Sequence, residues 1–218
     1  HTQAKIGIQL AHAGRKGSTS HDWENDDVPL TENGWQTIGP DDQPFLPDWP
    51  APKQMDRADM DRVRDEFVAA VRRAEEAGFD LVELQGAHGY LINTFISPTT
   101  NKRGDRYGGS HQNRMRFPLE IVSRVRARIG PDRLIGIRMN GHDLMPDGYE
   151  TADYCQVAAD FEAAGVDILH ISAGTYRAME RRVTPMYLGE APFVEYAAEI
   201  KRAVAVPVIA SGTIHSME

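Results

Sequence analysis

The segment EAGFDLVELQG at residues 76–86 returns, class for class, as AAGVDILHISA at residues 163–173. Each copy runs from a helix end through a glycine, an apolar residue and an aspartate into an apolar strand. A glycine just past a helical stretch is the usual left-handed stop, so Gly78 and Gly165 mark the ends of helices reaching Ala77 and Ala164. A chain that repeats this unit is confined to few folds, because a strand reached through a crossover helix lies parallel to its predecessor. Apolar runs predict strands at 5–11, 80–86, 134–140, 167–173 and 206–211. Amphipathic stretches at 59–77, 112–129, 151–164 and 192–204 alternate with them. The first places Val63, Phe67, Val71 and Ala74 on one face, and the second does the same with Met115, Leu119, Val122 and Ile129.

The expected class is α/β with a parallel sheet. No GxGxxG follows the first strand, which speaks against a dinucleotide-binding unit, and the internal repeat favours a (β/α)8 TIM barrel. Such barrels typically need ~250 residues. Five strands in 218 residues therefore predict a central segment that lacks the first and last strands, with residues 1–218 forming one partial barrel domain. The connection at residues 14–53 breaks the pattern: it is rich in Gly, Pro, Asp and Asn, holds Trp23, Trp35 and Trp49, and has no sustained period. It follows the C-terminal end of a strand, where barrels build their sites, so it reads as a lid or interface loop, with a packed surface insertion as the alternative.

A formal net charge of −8 leaves no basic face for phosphate backbones, so nucleic acid is not an expected partner. The basic stretches at 102–106 and 177–182 are interrupted by acidic or apolar residues and read as solvated surface. A single cysteine, Cys155, rules out an intrachain disulfide framework. No apolar run approaches the ~20 residues that span a bilayer, and no charged-then-apolar leader opens the chain. A cytoplasmic protein without membrane contact is the expectation.

Strand alternation separates the two faces of the sheet. Ile8, Leu10, Val82, Leu84, Ile137 and Met139 face the helices, which turns Gln9, Ala11, Glu83, Gln85, Arg138, His170 and Ser172 inward. Polar side chains converging at one barrel mouth need partners, which a cofactor or substrate supplies. The Gln9 carboxamide both donates and accepts, which suits a heterocycle edge, and Arg138 would stabilise an anionic reduced ring. Gly212 and Thr213, just after the last strand, could offer backbone N–H groups to a phosphate. Together these point to flavin mononucleotide (FMN). His88 and Tyr90 follow the second strand. Each has a plain structural explanation, as hydrogen-bond donor and as rim residue; paired in a polar pocket, His88 with Gln85 could bind a carbonyl oxygen while Tyr90 delivers a proton.

At this point the sequence resembles the Old Yellow Enzyme family of FMN-dependent ene-reductases and NADH:flavin oxidoreductases. The resemblance rests on GIQLAHAGRKGS (7–18), AGFDLVELQGAHGYLINTFISPTTNKRGDRYGGS (77–110), NRMRF (113–117) and the strand of Arg138. The GRKGS run and the Trp23–Glu24 pair look most like the bacterial ene-reductases and the related 2,4-dienoyl-CoA reductases. The resemblance implies that Gln9 and Arg138 bind the flavin ring, Gly212 and the turn after it contact the FMN phosphate, His88 orients the substrate's activating group, and Tyr90 protonates carbon. It implies that NADH or NADPH reduces the flavin, which then reduces an electron-poor C=C bond in an enone, enoate or dienoyl thioester. Arg103, Asp105, Gly108 and Gly109 shape a supporting turn. The full-length protein is expected to be a homo-oligomer. The chain departs from the family at Gln85, where His is usual, or Tyr in amine dehydrogenases; an amide there favours a thioester or a bulkier substrate. Rival readings are an amine dehydrogenase-like flavoenzyme, a non-catalytic barrel fragment, and a metal-dependent hydrolase using His12, His88, His142 and His170. The last lacks an HxH pair, and no metal ligands are expected.

Overall fold

The computed structural model describes residues 3–21, 23, 28–175, 178 and 189–216. All of the basic stretch at 177–182 except Ala178, and Glu24 of the Trp23–Glu24 pair, lie outside the described residues. Five parallel strands form one sheet in the order β1 (Gly7–Leu10), β4 (Leu81–Gly86), β5 (Leu134–Asn140), β6 (Ile168–Ser172), β7 (Val208–Ala210). Helices α1 (Arg57–Glu76), α3 (His111–Ile129), α4 (Thr151–Ala163) and α5 (Val194–Ala203) follow the expected alternation, and a short helix α2 (Leu91–Ile96) follows β4. Spatial order equal to chain order, all-parallel pairing and helices on one face make this sheet an arc of a (β/α)8 barrel.

The repeated aspartate explains why the repeat exists. Asp80 accepts from the Ile6 N–H at 3.0 Å and returns its own N–H to the Ile6 carbonyl at 2.9 Å. Asp167 does the same to Ile135, at 2.7 and 2.8 Å. Each clasp sits one residue before the first paired residues, Gly7↔Leu81 and Gly136↔Ile168, and so sets the register of its strand pair. A one-residue slip would turn every inward side chain outward. The helices are set as locally. Asp56 and Asp59 close a capping box at the start of α1, and Gly78, at φ 86°, ends it.

The apolar core lies between sheet and helices. Val82, Leu84, Ile135, Ile137, Met139, Leu169 and Ile171 meet Met60, Val63, Phe67, Ile121, Val125 and Phe161 there. Each such side chain contributes roughly 1.5–3 kcal/mol by leaving water. The other face is polar and open: Gln9 is exposed, and even Ile209 of β7 is 44% exposed.

The described residues of the 14–53 connection carry more regular structure than their composition suggests. They include a 3-10 turn (Gly14–Lys16) and strand β2 (Ile38–Gly39), which pairs in parallel with β3 (Lys53–Gln54). Buried Phe45 and half-buried Trp49 hold the Lys16 ammonium, 4.7 Å from each ring centroid. Arg103 reaches across to the Pro40 carbonyl at 2.6 Å and the Met55 carbonyl at 2.9 Å. Among the described residues, no helix is long and apolar enough to cross a membrane.

Candidate active site

Two rows of side chains cross the polar face, the second lying nearer the C-terminal ends of the strands. Register places Gln9, Glu83, Gly136 and Ile168 in one row and Gln85, Arg138, His170 and Ile209 in the next. Across the first row, Gln9 Nε2 donates to Glu83 Oε1 at 2.6 Å, and His170 Nδ1 meets Glu83 Oε2 at 3.0 Å. Burial pushes the Glu83 carboxyl up, but the hydrogen bonds from His170 and Gln9 and the charges of His170 and Arg138 outweigh it, leaving it below the usual range. An acceptor-only carboxylate fixes the Gln9 amide with nitrogen toward Glu83, which leaves the amide oxygen to face a ligand.

Above these rows the chain turns sharply out of β4. Gln85 Oε1 accepts from the Ala87 N–H at 3.2 Å, so the Gln85 nitrogen faces His88 Nδ1 at 3.4 Å. On the other side of the ring, His88 Nε2 lies 2.7 Å from Ser172 Oγ. The consistent assignment is a neutral imidazole protonated at Nε2, relaying from Gln85 to Ser172. His88 and Gln85 are buried, while Tyr90 is half-buried at the start of α2.

A buried polar cluster underlies this turn. Asn140 Oδ1 accepts from the His88 N–H at 3.1 Å, and Asn93 Oδ1 accepts from the Gly89 N–H at 2.7 Å. Asn93, Asn140 and Asp143 are all fully buried. Asp143 accepts from Ser97 Oγ at 2.6 Å, the Tyr154 hydroxyl at 2.7 Å and the Tyr149 N–H at 2.9 Å. Burial and the Asp143 carboxylate push the Tyr154 phenol well above its usual range, so it stays a donor.

The structure brings Gln9, Gln85, Arg138 and His88 to one face and one end of the sheet, with Tyr90 beside them. Gly212 and Thr213 follow β7 at the same end, both with positive φ (98° and 39°). Sequence reading named Glu83, His170 and Ser172 as inward without giving them a part in the flavin site, and missed Asn93, Asn140, Asp143 and Tyr154. A signal was present: Asn93 inside LINTFI and Asn140 closing LIGIRMN are polar residues in otherwise apolar runs. The four histidines of the hydrolase rival are dispersed. His12 and His142 accept from the nearby Gly14 and Leu144 N–H groups, and among the described residues no three His, Cys, Asp or Glu side chains converge as a metal set.

The sequence pattern of the NADH:flavin oxidoreductase / NADH oxidase family matches residues 1–218. The chain is 40% identical over 214 residues to an NADPH dehydrogenase of Geobacillus sp. (strain WCH70), covering 98% of this chain and 56% of that one. It is 38% identical over 215 residues to an NADH oxidase of Thermoanaerobacter brockii, covering 99% and 32%. It therefore spans from a third to just over half of these relatives. Among solved structures it is similar to a 2-naphthoyl-CoA reductase in complex with 2-naphthoyl-CoA, with TM-score 0.80, 26% identity and coverage of 93% and 31%. It is also similar to the histamine dehydrogenase from Rhizobium sp. 4-9, with TM-score 0.76, 30% identity and coverage of 94% and 28%.

Proposed function

The chain belongs to the NADH:flavin oxidoreductase / NADH oxidase family, and from that premise we propose that its parent protein is an FMN-dependent reductase of electron-poor C=C bonds, with Tyr90 as proton donor. The observation that carries this reading is the polar inner face, on which Gln9, Arg138, Gln85 and His88 lie within two strand rows and one turn.

The donor set fits FMN. Gln9, held through its nitrogen by Glu83, would offer an acceptor to a ring N–H, and Arg138 would supply a permanent cation from the next row. Gly212 and Thr213 would meet the phosphate at the strand ends. When bound, FMN supplies the hydride chemistry between NAD(P)H and the substrate.

The chain's own residues do the rest. The substrate's carbonyl takes the His88 Nε2–H now shared with Ser172, while Gln85 keeps the ring in that tautomer. Polarising the carbonyl makes the β-carbon electrophilic. Tyr90, half-buried at the mouth, holds the proton that its hydroxyl releases to the α-carbon. Gln85 cannot titrate, so its part of the clamp is a neutral donor at any pH. The likeness to histamine dehydrogenase keeps amine oxidation as the second reading.

The test is Tyr90→Phe in the FMN-loaded protein, with the two half-reactions followed separately. Oxidation of the reduced flavin by an enone should slow by about a hundredfold or more, with reduction by NAD(P)H little changed. Equal loss in both refutes the assignment of Tyr90. Flavin reduction by a secondary amine, with no turnover of an enone, moves the chain to the second reading.

A further inference from the structure

His88 and Gly89 are consecutive residues in the left-handed region, at φ 65° and 81°. For His88 this conformation is strained and persists only where the surroundings hold it. Each of their N–H groups is captured by the carbonyl oxygen of a buried carboxamide, His88 by Asn140 and Gly89 by Asn93. A carboxamide accepts on one side only, so the turn forms only if both amides point the right way. Both amide nitrogens lead to one group, and the two amides also meet each other, Asn140 Nδ2 donating to Asn93 Oδ1 at 3.5 Å. Asn140 Nδ2 donates to Asp143 Oδ1 at 3.4 Å. Asn93 Nδ2 donates to the Tyr154 hydroxyl at 3.2 Å, and that hydroxyl donates to the same Asp143 oxygen. Asp143 can only accept, and its remaining partners, Ser97 and the Tyr149 N–H, are donors too.

We propose that Asp143 is the positioning residue for the His88–Tyr90 turn: it fixes the polarity of a buried network that orients both asparagines and thereby places the His88 ring and the Tyr90 hydroxyl. The inference rests on the reaction proposed above only for its catalytic consequence. Asp143 touches neither His88 nor Tyr90 through its side chain. Its influence passes through Asn140 on one branch and through Tyr154 and Asn93 on the other, so cutting one branch loosens the turn without emptying the core.

Tyr154→Phe keeps the shape and cuts the second branch; Asp143→Asn keeps one acceptor oxygen and puts a donor in place of the other, so the donors around it cannot all be met. Amide hydrogen exchange in the FMN-loaded protein reads the turn directly. In Tyr154→Phe, exchange in the peptide spanning residues 86–92 should rise about tenfold, with the sheet and α3 unchanged. The enone half-reaction should slow by about tenfold, and adding Tyr90→Phe should cost less than in the wild type, because a misplaced hydroxyl has less to lose. Unchanged exchange at 86–92 overturns the proposal. So does a uniform rise across all peptides, or a fully multiplicative double mutant, since each describes a merely structural residue. If neither variant folds, Asp143 is a determinant of the fold and the positioning role is likewise overturned. If Tyr90→Phe alone has no effect, the proton-donor assignment falls, while the exchange result still decides what holds the turn.

Discussion

Glu83→Gln probes the floor of the site, because one carboxylate there holds both the Gln9 amide and a histidine. Its two oxygens accept from Gln9 at 2.6 Å and from His170 at 3.0 Å, and its side chain is 14% exposed. Hydrogen bonds to a charged group are worth about 1.5–3 kcal/mol each when removed. The substituted amide keeps one acceptor and presents a donor in place of the other. His170 can meet that donor by changing tautomer, and relief of a buried charge offsets part of the loss. The net expectation is a destabilisation of about 1–2 kcal/mol at neutral pH.

The pH dependence makes this prediction specific. The Glu83 carboxyl lies below its ordinary value in the folded state, so the folded protein binds its proton less readily than the unfolded chain. Its contribution is fully present above the unfolded carboxyl value and is lost as pH falls through the folded one. The gap between wild type and Glu83→Gln should therefore be widest near neutrality and close in acid. Urea unfolding at a series of pH values, compared at constant m, measures it. A gap that stays constant into acid, or a variant more stable than wild type at neutral pH, refutes the reasoning.

The loop at 101–110 and the end of α1 supply further tests. Arg103→Lys should cost about 3 kcal/mol or more, because the buried guanidinium grips Asp105 and the Pro40 and Met55 carbonyls at once; a loss under about 1 kcal/mol in urea unfolding contradicts that. Two glycines should separate strain from clash. A methyl on Gly108 would lie 2.3 Å from the Arg103 carbonyl oxygen, whereas one on Gly78, at φ 86°, meets nothing within 4 Å. Thermal unfolding should therefore show Gly78→Ala losing about 1–2 kcal/mol and Gly108→Ala losing more, and the reverse order is excluded.

The fold was legible because its determinants are local. Periodicity gave the five strands of the sheet and the four long helices but not β2 or β3, and alternation gave the face on which Gln9, Arg138 and His170 stand. The short helix Leu91–Ile96 was not anticipated, because six apolar-rich residues have no period to read. The site was legible only in part. Gln85, His88 and Tyr90 share one motif, but the network under them includes bonds between residues 46 to 61 positions apart, as between Ser97 and Asp143 or Asn93 and Tyr154. Nothing in the run GHDLMPDG distinguishes Asp143 from an ordinary turn residue. The left-handed backbone at His88 is equally silent in sequence, since histidine rarely adopts it. The 14–53 connection looked irregular because its order comes from distant partners such as Arg103 rather than from a period of its own.

The central claim is that the polar inner face holds FMN and passes reducing equivalents to an electron-poor double bond. The most direct measurement is the visible flavin absorbance of the FMN-loaded protein, followed without oxygen. Adding NADH or NADPH should bleach it, and adding an enone should restore it, with the saturated ketone formed in equal amount. A protein that takes up no FMN, or whose bleached flavin recovers only when oxygen is admitted, contradicts the account.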